Sequence, residues 1–370
     1  MEFFWDFEAW GIINLIAILL ASLLLANALR RNFAFIRNTL IPTPVLGGII
    51  LLIISGIYEA ITGDIFFNTN FFNTNGLKSL EIITYHALAG GFIASTLKQS
   101  TNTFTKKRSA EIFDSGVTTV STYLLQGVLG MGITIFAAAF IAPEIFPASG
   151  LLLPFGYGQG SGQALNYGTI YESDYGFTGG SSFGLAIAAL GFISASVGGV
   201  IHLNILKRRG KFTPRKNDDE AITSNEAVEN SGEIPMNGSI DKLTVQIALI
   251  VAVYALTYFL MYGLGLLLPG MKATIYGFNF LFGVLVGAAC KLGMNFLRKK
   301  NIIKKQYTNN FLLTHISNFL FDIMIVAGIA AIRIEEIKDY WLILLILGVV
   351  GLVATYFYVR YISYKFFPEY

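Results

Sequence analysis

The 370-residue chain is 54% hydrophobic and 13% charged, with a mean hydropathy of +0.61, whereas a soluble domain is about 25% charged. This excludes a soluble globular domain and predicts an all-α integral membrane protein. The net charge is only +3, the basic residues lack the aromatic-interleaved patch of a nucleic-acid binder, and Cys290 is the single cysteine, so nucleic acid, a disulfide framework and a cysteine metal site are excluded as working parts.

A hydrocarbon core about 30 Å thick takes about 20 apolar residues in a helix. Nine runs meet that length, at about 10–29, 42–62, 80–97, 116–142, 180–206, 241–268, 275–297, 310–332 and 340–362. No basic start precedes the first run and no small-residue cleavage site follows it, so it reads as a retained span.

The second run opens Ile41-Pro42-Thr43-Pro44-Val45-Leu46-Gly47-Gly48. Proline is favoured at a helix start, so this is either an ordinary helix opening or a broken helix whose Thr43, Gly47 and Gly48 contact a solute.

Between the fourth and fifth runs lies 148–168, whose apolar part, Leu151-Leu152-Leu153-Pro154-Phe155, is too short to cross before glycines alternate at Gly156, Gly158, Gly160 and Gly162. The spacing fits neither G-x-x-x-x-G-K-[ST] nor G-x-G-x-x-G, so nucleotide binding is disfavoured. A period of two is wrong for one helix face. The stretch therefore reads as a re-entrant loop with non-helical backbone, a form that survives at membrane depth only inside protein or beside a wet cavity. Its glycines admit close approach and positive φ. Gly158, Gln159, Gly160, Ser161, Gly162, Gln163 and Asn166 are candidate solute contacts, and the carbonyls of Gly156 and Gly158 are candidate cation ligands. The alternative is that the glycines only let helices pack.

Glu172 and Asp174 read as exterior loop charges, and Ser181-Ser182 with the 194–199 stretch as small residues for helix packing. His86 and His315 read as interfacial, and with His202 alone in another run they form no metal site. Asp322, inside Phe319-Leu320-Phe321-Asp322-Ile323-Met324, is a candidate cation or proton site, since a charge within a span is functional by default; the alternative is a neutral acid locked to a neighbouring helix.

Basic clusters follow the first, third, fifth and seventh runs, which places those ends in the cytoplasm and the N-terminus outside. For the parity to hold, 148–168 enters from outside and returns there. The polar stretch 207–240 reads as a cytoplasmic linker. Five spans precede it, so a second half on the same plan lies upside down, as in many secondary transporters. The domains expected are 1–206, the linker 207–240, and an inverted repeat at 241–370. The exits of the fourth and ninth runs even look alike, with Ala142-Pro143-Glu144 after one and Phe367-Pro368-Glu369 after the other. No counterpart of 148–206 follows the ninth run, so the chain reads as C-terminally truncated.

These parts together resemble the glutamate:sodium symporter family of bacterial secondary transporters. The resemblance rests on the P-x-P-V-x-G-G opening at Pro42, the glycine-rich loop at Gly156 to Gly162, the following Tyr175-Gly176-Phe177, the basic mid-chain linker and the N-out pattern. It implies two five-helix repeats of opposite orientation, each with a re-entrant loop. It further implies Na⁺-coupled uptake of glutamate or a related amino acid or small organic anion across the cytoplasmic membrane, and a homodimer whose transport domain moves against a scaffold. Glutamate members carry G-H-G-T-G-A-A-W in the loop, where this chain has Gly156-Tyr157-Gly158-Gln159-Gly160-Ser161-Gly162-Gln163; the backbone plan is shared and the side chains differ. Na⁺ is the expected coupling ion, with no organic cofactor. Proton-coupled transport of another solute and a channel stay open as alternatives. An enzyme is disfavoured, because Ser161 has no partner in sequence and H-E-x-x-H is absent.

Overall fold

The structure, a computed structural model, describes residues 4–99, 105–210, 233–235 and 240–366. Among them ten helices of fifteen residues or more succeed one another: α1 Phe7–Asn32, α2 Thr43–Thr62, α3 Gly76–Leu97, α4 Lys106–Phe140, α5 Ser161–Tyr175, α6 Gly180–Arg208, α7 Lys242–Leu267, α8 Asn279–Lys299, α9 Asn310–Ala330 and α10 Trp341–Phe366. Among the described residues nine helical stretches are long and apolar enough to cross a membrane, and each contains one of the nine apolar runs or most of it. The protein is an all-α, multi-pass membrane protein. Within the apolar window of α1 only 22% of residues are buried in the protein, and Trp10, Ile13, Leu24 and Leu25 face outward. Apolar surface of that extent is stable in hydrocarbon, not in water. The tenth helix, α5, has fifteen residues, about 22 Å of rise, too short to span.

Local signals set the helix ends. Pro44 lies in the first turn of α2, and Gly63 ends it in the left-handed region at φ 77°. The Thr105 side chain accepts from Arg108 N at 3.3 Å to cap α4, and Asp241 Oδ1 accepts from Leu243 N at 2.8 Å and Thr244 N at 3.3 Å to cap α7. Glu8 in the first turn of α1 and Arg30 and Arg31 in its last complement the helix dipole.

The chain forms two compact units, and both draw on the first and the second half of the sequence: one is Met1–Tyr85, Phe104–Lys211 and Ile323–Tyr370, the other His86–Thr103 and Phe212–Asp322. In the first unit α1 packs on α2, α5 folds back along α6, and α10 lies against α4 and α6. Its core includes Leu15, Leu19, Val45, Leu51, Leu152, Leu153, Phe183 and Leu347. The second unit packs α7 on α8 around Ile93, Leu97, Ile250, Val253 and Leu313. In it Lys291 Nζ donates to the carbonyls of Thr96, at 2.7 Å, and Lys98, at 3.1 Å, a cation on the last carbonyls of α3.

Of the linker expected at 207–240, residues 211–232 and 236–239 lie outside the described residues, as do Phe367, Pro368 and Glu369. The stretch 233–235 is held in the second unit: Ile234 N donates to the Gln306 carbonyl at 3.1 Å, and the buried Lys242 ammonium donates to Glu233 at 2.7 Å.

Candidate functional site

The glycine ladder lies in the first unit and is helical, with one interruption. A turn of 3-10 helix at Pro147–Leu151 leads into a short helix, Leu152–Pro154, and a π-helical turn, Phe155–Gln159; the chain breaks at Gly160 and resumes as α5. Sequence reasoning expected non-helical backbone throughout. Pro154 lacks a donor and the glycines have little helix propensity, yet all of these residues but Gly160 lie in helical turns, a form that leaves fewer buried backbone groups unpaired than a loop would. π turns of this kind are often found at functional sites.

Each rung has its own contact. Gly156 lies against the backbone of Ile187 and Ala188 on α6, where an added β-carbon would stand 2.8 Å from Ala188 N. Gly158 faces the ring of Tyr123 on α4 with no room for a β-carbon, and its carbonyl accepts from the Tyr123 hydroxyl at 2.9 Å. Gly160 has φ 79° and ψ −170°, a region essentially restricted to glycine. Gly162 is buried in the first turn of α5. Gly168 packs so closely on Gly180 of α6 that neither tolerates a side chain.

Other contacts pin the two arms of the break. Thr134 Oγ1 donates to the Pro147 carbonyl at 2.6 Å and accepts from Gly150 N at 3.2 Å. The Tyr157 hydroxyl donates to the Gly348 carbonyl of α10 at 2.7 Å and shares a 2.9 Å hydrogen bond with Ser194 of α6. Phe155 before the break stacks on Tyr167 after it, centroids 4.1 Å apart and ring planes within 4° of parallel.

The break itself is buried and polar. Ser161 and Gln163 are both 0% exposed, and Gln159 Oε1, Ser161 Oγ and Gln163 Nε2 are buried with no hydrogen-bond partner among the described residues. Gln163 Oε1 accepts from Asn166 Nδ2 at 3.3 Å, which leaves the amide nitrogen as the orphan. No side chain caps α5, and its N–H groups at Ser161, Gly162 and Gln163 have no intrahelical acceptor. No ionisable acid or base occurs between Phe155 and Tyr171 other than phenols, and burial, with Tyr167 and Tyr175 adding to it, pushes the Tyr171 phenol up to about 12. The donors and acceptors at the break are therefore neutral dipoles.

The other sequence candidates fall as follows. Thr43, Gly47 and Gly48 belong to an unbroken helix. Thr43 Oγ1 accepts from Arg30 at 3.4 Å, Gly47 lies on Ser22 of α1, and Gly48 lies under Ile329 of α9. The next residue of α9, Gly328, faces Ser161, whose β-carbon stands 2.7 Å from where its own would be. Neighbouring residues of α9 thus touch the two glycine motifs. Asp322, grouped with the second unit, is half-buried and carries no ion pair or hydrogen bond among the described residues. His86 is not at a span end: it lies mid-way along α3, its Nδ1 2.7 Å from the Tyr254 hydroxyl. Among the described residues no group of three His, Cys, Asp or Glu gathers to hold a metal.

A model of the sodium/glutamate symporter family matches residues 9–369. The chain belongs to the sodium/glutamate symporter family. No curated protein and no solved structure matches it. This symporter is accordingly a Na⁺-coupled transporter rather than an enzyme, and it binds a solute together with Na⁺.

Sequence reasoning on the symporter overlooked Tyr123, Thr134 and Gly328, because nothing near them in the chain marks them. It also treated Glu172 as an exterior loop charge. Glu172 instead accepts from Ser181 N at 3.2 Å and Ser181 Oγ at 2.8 Å, a carboxylate at the start of α6. Glu336 accepts from Ser182 Oγ at 2.8 Å and from Arg333, which also reaches Glu59 at 3.2 Å.

Proposed function

We propose that the chain carries glutamate, or a related amino acid or small organic anion, into the cell with Na⁺ across the cytoplasmic membrane, and that the break at Gly160 is half of the solute site. The observation that carries this reading is the set of three buried, partnerless polar atoms on Gln159, Ser161 and Gln163. A buried polar atom without a partner costs about 1–3 kcal/mol, and three within five residues are sustained most simply by a ligand that completes them. The N-terminal amides of α5, with Ser161 and Gln163, suit a carboxylate. Gln159 Oε1 and the carbonyls ending the π turn suit an ammonium or Na⁺. Gly158 O already accepts from Tyr123, so Gly156 and Gln159 are the better cation candidates in this turn, with Asp322 a further one. Gly48 lies under Ile329 of α9, whose Gly328 faces Ser161, and Thr43 and Gly47 on the same helix stay candidate solute contacts with it.

The arrangement that goes with this reading has the N-terminus outside, the 148–168 segment reached from outside, and two inverted repeats, 1–206 and 241–370, joined by a cytoplasmic linker at 207–240. The basic residues after alternate spans support it. A homodimer follows from the family resemblance. Coupling needs only that Na⁺ and solute each raise the other's affinity.

The test is counterflow in proteoliposomes with the purified protein and a panel of amino acids and dicarboxylates. Saturable exchange that requires Na⁺ is expected. Exchange indifferent to Na⁺ overturns symport, and if it follows a pH gradient the coupling ion is a proton.

A further inference from the structure

α6 and α10 run side by side in the same direction: Leu190 meets Gly348, Gly198 meets Leu352, and His202 Nδ1 lies 3.3 Å from the Tyr356 hydroxyl. Near Gly348 and Gly351 the helices and Tyr157 are in close contact. Beyond this the small residues Gly191, Ala195, Gly198 and Gly199 leave a surface-open cleft of about 420 Å³, closed at its inner end by Tyr157 and bounded at its mouth by Arg360 and Ser363. Pockets of about 300–1,000 Å³ hold compact organic ligands.

The cleft has two chemistries. Its wall is overwhelmingly apolar, which disfavours a water-filled path for an ionic solute. Its mouth holds one exposed guanidinium, Arg360, that has no ion pair among the described residues, with His202, Tyr356 and Ser363 as neutral hydrogen-bonding groups around it. Among the described residues no carboxylate lines the cleft. Both helices end in basic residues on this side, Lys207 and Arg208 in the last turn of α6 and Lys365 in that of α10. An apolar slot with a cationic mouth, between two helices of membrane-spanning length, is complementary to an acyl chain that carries a phosphodiester head.

We propose that this cleft is a binding site for an anionic glycerophospholipid, one acyl chain lying along Gly198 and Gly199 and the phosphate at Arg360. The site is separate from the break at Gly160, although Tyr157 contributes to both, so lipid occupancy bears on how firmly the π turn is held to α10.

The test is native mass spectrometry of the purified chain in detergent with phosphatidylglycerol or phosphatidylcholine of identical acyl chains. Phosphatidylglycerol is expected to be retained about fivefold better, the factor one arginine near a membrane surface is worth. Arg360→Gln should reduce its retention to that of phosphatidylcholine, and Arg360→Lys should keep most of it. An added β-carbon at Gly199 meets no atom within 4 Å, so Gly199→Leu fills the slot without a clash and should remove both lipids, with helical circular dichroism unchanged. Equal retention of the two lipids overturns the proposal. So does retention of phosphatidylglycerol that neither Arg360→Gln nor Gly199→Leu reduces, or a Gly199→Leu effect that appears only as loss of chain–chain association.

Discussion

Tyr123 on α4 donates its hydroxyl to the carbonyl of Gly158, 2.9 Å away and 35 residues on in the sequence, and its ring occupies the volume that a β-carbon at 158 would need. The two residues are therefore coupled both sterically and by hydrogen bonding. Gly158→Ala should destabilise by about 1–3 kcal/mol through overpacking, and Tyr123→Phe by about 1 kcal/mol through the lost hydrogen bond. Tyr123→Ala in the Gly158→Ala background should be less damaging than the sum of Tyr123→Ala and Gly158→Ala made singly. Thermal unfolding followed by fluorescence-detected chromatography reads all five proteins, the unaltered one included, and strict additivity would show that the contact does not matter.

Gly160 and Gly63 both have positive φ, 79° and 77°, but they differ in ψ, −170° against −3°. Gly63 sits in the left-handed helical region with open space around it, where alanine costs about 1 kcal/mol. Gly160 lies in a region closed to other residues, where the cost is about 1–3 kcal/mol, and any relaxation moves Gln159 relative to Ser161. Gly63→Ala should leave counterflow intact. Gly160→Ala should lower it at least tenfold at equal expression, and equal counterflow from the two variants would remove the special role of the break.

The spans were legible in the sequence because a membrane span is set by length and apolarity alone, properties of a contiguous run. The same is true of the oddity at 148–168, whose Pro154 and alternating glycines stand out against apolar neighbours. What each glycine faces was not legible. Gly156 answers to Ile187, Gly158 to Tyr123 and Gly168 to Gly180, partners that the fold supplies from 12 to 35 positions away. The helicity of the ladder was hidden for a related reason: period and propensity favour a loop, and burial overrules both by requiring the backbone to bond to itself. Glu172 looked like a solvated loop charge because its partner, Ser181, is identified only once the helix ends are brought together.

Arg333 holds three elements of the first unit at once. Its side chain donates to Glu59 at the end of α2 at 3.2 Å and to Glu336 at 2.6 Å, while its backbone N–H donates to Ser182 Oγ at 3.2 Å, and that hydroxyl donates on to Glu336. The side chain is 27% exposed, so the pairs are only partly screened. Arg333→Met should destabilise by about 1–3 kcal/mol, and Arg333→Lys should recover less than half, because an ammonium cannot address two carboxylates with the fixed fork of a guanidinium. Unfolding midpoints at low and high salt check this; a midpoint unchanged in Arg333→Met would show the network to be incidental.

Ser161 and Gln163 give a prediction whose sign separates a ligand site from a structural core. A side chain that holds a fold together destabilises it when truncated. Here Ser161 Oγ and Gln163 Nε2 are buried and bonded to nothing among the described residues, so the polar atoms themselves oppose folding until a ligand meets them. Ser161→Ala and Gln163→Met should therefore be neutral or stabilising without solute, by up to about 1–3 kcal/mol for each orphan removed. Gln163→Met gains somewhat less, because it also gives up the 3.3 Å bond from Asn166. With Na⁺ and solute the order should reverse: the unaltered protein gains stability as RT ln(1 + [L]/Kd), about 2.7 kcal/mol at a hundredfold excess over Kd, and the variants gain little. Unfolding measured with and without Na⁺ and a counterflow-active solute gives both halves of the comparison. If either substitution destabilises the protein without solute while leaving the solute-induced shift intact, these side chains belong to the core and the solute binds elsewhere.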